Sequence, residues 1–156
     1  MMKRVRYVPG QLLSAADFET EQSYLRAKRR LHNRWLHGWG VVGGLTVSVG
    51  RSEVVVAPGL ALDGLGNEIE ICESTRWPLP TALKACYLTV ALAERETDPV
   101  GDPAFFTRIE EEAVLAYEGR EPPRTPPGPT RVALARLVRS RRGWRVDSRY
   151  RTRRAR

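Results

Sequence analysis

The sequence predicts an α+β fold, with one long N-terminal amphipathic helix followed by a mostly antiparallel, β-rich domain. Three observations predict it. Residues 15–36 contain no glycine or proline. From residue 45 onward, apolar side chains recur at every second position. Short clusters of Gly, Pro, Asn and Ser separate those alternating runs, as hairpins require. A chain of 156 residues can bury one real core but not two of ordinary size, and 42% hydrophobic with 28% charged residues suits a folded soluble protein.

The helix is expected to start at about Ala15. Ser14 stands three residues before Asp17, a short-armed version of the capping box. Glu19 and Glu21 come early, while Arg26, Lys28, Arg29, Arg30 and Arg34 come late, an order that suits the helix dipole. Phe18, Leu25 and Leu36 fall near one face and Tyr24, Leu31 and Trp35 on an adjoining one, so the apolar stripe is wide and needs cover. At 1.5 Å per residue the helix would reach about 33 Å, close to the width of the whole domain, so part of it is expected to project towards a partner. Gly38, Gly40, Gly43 and Gly44 end it, with Trp39, Val41 and Val42 between them, which reads as a tight packed corner.

Behind the corner, Leu45, Val47 and Val49 alternate with polar residues, and after Gly50-Arg51-Ser52 the run Val54–Val56 closes a hairpin. A second hairpin is expected from residues 60–63 and 68–72 around Gly64-Leu65-Gly66-Asn67, with Ile69 and Ile71 inward and Glu68 and Glu70 outward. Trp77-Pro78-Leu79-Pro80 should break the sheet. Cys86, Leu88, Val90 and Leu92 alternate as the strongest later strand. Residues 110–117 fit helix and strand equally. The five prolines of residues 121–129 mark a stiff surface loop. Residues 132–138 and 144–146 form a last hairpin, and residues 149–156 are a basic tail. The organisation is therefore residues 1–44 for the N-terminal segment and docking helix, 45–148 for the β-rich body and 149–156 for the tail.

The net charge of +8 rests on 23 Arg and only 3 Lys. It favours acidic partners of any kind without choosing among phosphate, anionic lipid and protein. Cys72 and Cys86 cannot make a four-ligand metal site, and each is expected to be a buried free thiol. The N-terminus has no signal-peptide run and no stretch reaches the length of a membrane span, so cytoplasmic synthesis is expected.

No catalytic residue, cofactor or metal ligand is assigned. His32 and His37 are the only histidines, and a spacing of five sets them apart on an α-helix, unlike the spacing of four in a two-histidine zinc helix. No serine sits in a nucleophile elbow. Gly64-Leu65-Gly66-Asn67 lacks the third glycine and following helix of a phosphate cradle. Glu110, Glu111 and Glu112, with Asp98 and Asp102, fit no calcium-loop spacing and read as a solvated acidic run. The basic helix could lie along nucleic acid, yet it must also bury an apolar stripe. Nucleic-acid binding through this helix and the tail is thus the alternative reading, not the favoured one.

Residues 8–24 (VPGQLLSAADFETEQSY), 28–34 (KRRLHNR), 36–45 (LHGWGVVGGL) and 55–69 (VVAPGLALDGLGNEI) carry a resemblance. Together they resemble the start of bacterial phage-tail-like proteins, small baseplate- or fibre-associated components of contractile injection systems. Residues 87–100 and 106–111 are similar to the same group more loosely. The resemblance implies a structural adaptor that acts by protein–protein assembly, a helix that docks into the tail apparatus, other tail or baseplate proteins as partners and a homo-oligomeric state. Trp and Arg are the residues that anchor interfaces. Arg26, Arg29, Arg30, Asn33, Trp35, His37 and Trp39 are therefore the expected contact surface.

Overall fold

The computed structural model describes residues 3–101, 105–125 and 128–156. Asp102 of the acidic run and Pro126 and Pro127 of the proline loop lie outside the described residues. The fold is α+β as expected: the described residues form a helix α1 (Ala15–His32), a π-helical turn (Asn33–His37) and ten strands.

The strands are β1 (Gly40–Gly44), β2 (Val47–Val49), β3 (Glu53–Val56), β4 (Gly59–Leu62), β5 (Glu68–Ile71), β6 (Thr75–Pro78), β7 (Ala85–Val100), β8 (Phe105–Glu118), β9 (Arg131–Ser140) and β10 (Gly143–Val146). They form three antiparallel sheets, ordered β1-β4-β5, β2-β3-β6 and β10-β9-β7-β8. All three contribute to one core. Val41 comes from the first strand, Val54 and Val56 from β3, Ile69 and Ile71 from β5, Leu88 and Val90 from β7, and Leu134 and Leu137 from β9. Alternation explains the choice of face: in β5, Ile69 and Ile71 are buried while Glu70 is exposed. The same period turns Cys72 outward, so only Cys86 is the buried free thiol expected of both.

Three local readings change. The glycine-rich corner is itself a strand, because β1 pairs with β4 from Gly40 opposite Leu62 to Gly44 opposite Gly59. Trp77 and Pro78 do not break the sheet. They end β6, which lies at the outer side of β3, where a missing N–H is tolerated. Residues 110–117 are strand, within β8.

The β7–β8 pair is far longer than the sequence pattern suggests. Pairing of β7 with β9 stops at Ala91 opposite Arg131, but pairing with β8 continues to Val100 opposite Phe105. Leu92 and Ala113 still pack against the core, so it is residues 94–100 and their partners that leave the body, as a two-stranded ribbon of roughly 23 Å at about 3.3 Å per residue. The run 149–156 is held rather than free at its end. Val41 N–H donates to the Arg153 carbonyl (2.9 Å), Ala155 N–H to the Val41 carbonyl (3.1 Å) and Arg156 N–H to the His37 carbonyl (2.8 Å). No helix of the described residues is long and apolar enough to cross a membrane.

Candidate interaction surface

The helix begins where Ser14 and Asp17 predict. The Asp17 carboxylate accepts the Ser14 N–H at 2.9 Å and the Ser14 hydroxyl at 2.7 Å, and the Ser14 N–H above all holds its carboxyl below the ordinary carboxylate range. Along its whole length α1 buries no residue. Phe18, Leu25 and Leu31 on α1, and Trp35 and Leu36 just beyond it, are exposed, Trp35 to 75%. Among the described residues, Tyr24 alone of the stripe is partly covered, and the other five side chains are left to solvent.

What fixes the helix is its C-terminal end. Asn33 is buried and donates from Nδ2 to the Gly66 carbonyl at 3.0 Å and to Glu68 Oε1 at 3.2 Å. Arg29 pairs with Glu68 at 2.5 Å and Arg30 reaches Glu94 at 3.9 Å. The seat beneath is the turn at 63–67. Buried Asp63 accepts the N–H groups of Leu65 and Asn67, both at 2.8 Å, and the Asn67 side-chain amide at 2.7 Å. Gly66 has φ +86°, and a side chain there would overlap the Arg30 carbonyl, so the helix end and the turn meet backbone to backbone.

The ribbon base faces the basic side of the helix. Glu94 stands directly opposite Glu111 across the two strands, a like-charge pair that would be destabilising alone. Arg26, Arg29 and Arg30 line the same small hollow as Glu68 and Glu111, and so place positive charge beside that pair. Further out, Arg95 pairs with Glu110 at 2.7 Å, and Val100, Phe105, Phe106 and Ile109 are exposed. A bare two-stranded ribbon is marginal in water, and one that also shows Phe and Ile to solvent has apolar area left to bury.

The seven residues expected at the contact surface thus divide. Arg26, Arg29 and Arg30 lie between helix, turn and ribbon base, and Trp35 points to solvent. Asn33 and Trp39 are buried; the Arg153 guanidinium stacks over the Trp39 ring at 3.8 Å, and Arg153 Nε donates to its carbonyl at 3.1 Å. His37 accompanies His32, with Nε2 atoms 3.3 Å apart. A spacing of five therefore does not separate the two rings, because the turn between them is π-helical rather than α-helical. Sequence reasoning missed the ribbon, whose exposed strands need no regular apolar alternation, and residues 94–100 (ERETDPV) carry no strand signal of their own.

No family model matches the chain, and no curated protein matches it. Solved structures do. A chain described as the crystal structure of TssK superposes with a TM-score of 0.58 at 12% identity, over 94% of this chain and 41% of that one. The chain shares that fold. A chain of the type VI secretion system TssK-TssF-TssG baseplate subcomplex matches with a TM-score of 0.59 at 16% identity, over 97% of this chain and 62% of the other. The present chain thus spans between two fifths and two thirds of the length of the two chains it superposes on.

Proposed function

We propose that this chain is a structural adaptor of a phage tail-like contractile injection particle, placed at the baseplate or the fibre attachment and acting by protein–protein assembly without catalysis. One observation carries the reading: an 18-residue helix that buries no residue of its own, and the π-helical turn that follows it, present Phe18, Leu25, Leu31, Trp35 and Leu36 to solvent. Each half-exposed Leu or Phe has roughly 1 kcal/mol left to gain on full burial, and Trp more, so a groove that received this face would be held by several kcal/mol. The ribbon is a second arm, acidic at Glu96, Glu110 and Glu112 and apolar towards its tip. Helix-in-groove docking uses this kind of face. The TssK-like fold supports the same reading, since a structure with that fold is part of a baseplate subcomplex. Neighbouring baseplate proteins and further copies of the chain are the partners.

The arginines are poor test positions, because Arg29 and Arg30 also seat the helix on its own body. Leu25 and Trp35 are better. The Leu25→Asp, Trp35→Asp double variant leaves the core untouched, so its circular dichroism and thermal midpoint should stay close to the parent while incorporation into particles falls at least tenfold. Normal incorporation of a folded double variant overturns the proposal.

A nucleic-acid role keeps one supporting observation: Arg136, Arg139, Arg145 and Arg149 line a shallow groove on the β9–β10 side, with Asp147 as the acidic residue among them. Arg136 is paired to that Asp147 at 2.9 Å. Such a role requires DNA affinity that falls steeply with salt.

A further inference from the structure

We propose that His32 and His37 form a two-nitrogen chelate for a divalent transition-metal ion of the zinc class, built across the joint between α1 and the π-helical turn. On an α-helix, positions five apart lie about 140° apart around the axis, so two histidines at that spacing cannot share an ion. Here the intervening turn closes with Gly38 N–H donating to the Asn33 carbonyl at 2.9 Å, a bond from residue i to i−5. The wider turn returns His37 to the side of His32. Such π segments are uncommon and concentrate at functional sites.

The ring orientation is set from behind. His37 Nδ1 lies 2.9 Å from the backbone oxygen of Arg156, which can only accept, so Nδ1 carries the proton. In the neutral ring, Nε2 is then left with its lone pair towards His32. A carbonyl or carboxylate oxygen on the far nitrogen is the usual outer partner of a metal-binding histidine. Arg156 N–H returns a bond to the His37 carbonyl at 2.8 Å, so the residue is held at both its main chain and its ring.

The distances fit a tetrahedral ion. With metal–nitrogen bonds of about 2.05 Å and an angle of about 109°, two Nε2 ligands stand about 3.3 Å apart, and ring centroids some 1.15 Å behind them about 5.2 Å apart. The observed separations are 3.3 Å and 5.2 Å, with the ring planes inclined at 57°. Two imidazoles sharing one proton head-on at the same nitrogen separation would place their centroids about 5.6 Å apart, at a length already beyond the ordinary hydrogen-bond range of about 2.7–3.2 Å.

No group of three or more His, Cys, Asp or Glu ligands occurs among the described residues, so the remaining positions on the ion go to water. The site is open and exchangeable rather than a closed structural centre. Imidazole nitrogen selects zinc, copper, nickel or cobalt over calcium or magnesium. Its consequence is mechanical: α1 is seated on the body only at its C-terminal end, and an ion that ties His32 to His37 stiffens the joint that sets where the helix points.

The test uses untagged full-length protein carrying Cys72→Ser, because the exposed Cys72 thiol is a competing ligand. Zinc chloride is titrated while the ring signals of the two histidines are followed by NMR; no other histidine exists to confuse them. The expected result is a saturable one-to-one change in both rings. His32→Ala, at an exposed position, should fold as the parent does and weaken zinc at least tenfold. Zinc affinity that is equal in the parent and in folded His32→Ala, or zinc that perturbs neither ring, overturns the site.

Discussion

Asn33 is the residue on which the attitude of the helix depends most, and Asn33→Ala isolates that dependence. Its side-chain amide donates to the Gly66 carbonyl at 3.0 Å and to Glu68 Oε1 at 3.2 Å, from a position that is only 5% exposed. The first is a neutral bond, worth about 0.5–1.5 kcal/mol net, and the second is a bond to a charged group, worth about 1.5–3. Together they give roughly 3 kcal/mol, or about a hundredfold in the equilibrium between seated and released helix at tenfold per 1.4 kcal/mol. Because α1 buries nothing else, the loss is local: a released helix of 18 residues is marginal in water and frays. Native-state hydrogen exchange reads this directly. Protection of the amides of α1 should fall about a hundredfold in Asn33→Ala, while the amides of β7 and β9 keep the protection set by global unfolding. Unchanged protection in α1, or an equal loss in the core strands, would refute the reasoning that Asn33 is the main tie between the helix and the turn at 63–67.

Other perturbations have equally definite outcomes. Leu88 is fully buried in β7, and Leu88→Ala should lower global stability by about 2–5 kcal/mol in denaturant unfolding, the range for cavity formation in a core. The carboxyls of Asp17 and Asp147 are both held below their ordinary value of 3.8, each chiefly by a backbone N–H, from Ser14 and Arg149 respectively. Their contribution to stability is therefore present above about pH 3.8 and is lost as pH falls through the folded-state values. An acid titration of Asp17→Asn should show a shallower loss in that window than the parent. Burial pushes the Cys86 thiol up to about 11, whereas Cys72 is exposed, so a thiol reagent at pH 8 should label one cysteine per folded chain and two only after denaturation.

The body of the fold was legible in the sequence wherever burial imposes a period. Val47 and Val49, Val54 and Val56, Ile69 and Ile71, and the run from Cys86 to Val90 all alternate because one face meets the core, and each predicted strand is present. The helix start was legible for a local reason, since Ser14 and Asp17 need only each other. The features that were not legible are those where no burial disciplines the pattern. Glu94 to Val100 and Phe105 to Glu112 form strands in which nearly every residue is exposed, so charge and apolar residues mix freely and no period appears. The π turn escapes for a different cause. It depends on contacts from distant residues, Gly66 beneath Asn33 and Arg156 behind His37, and a period of 3.6 applied to residues 32–37 places the two imidazoles on different faces. Asn33 and Trp39 likewise read as surface anchors in sequence because nothing local shows that Gly66 and Arg153 will cover them.

The central claim is that this chain works as a built-in component of a tail-like particle, and particle composition tests it most directly. Particles pelleted from the organism that encodes the chain, after a high-salt wash, are digested and the chain is quantified by mass spectrometry against the sheath and tube proteins. The account predicts a low ratio to sheath that is constant between preparations and resistant to salt. Absence from the particles, with the chain recovered free or bound to DNA, would contradict it.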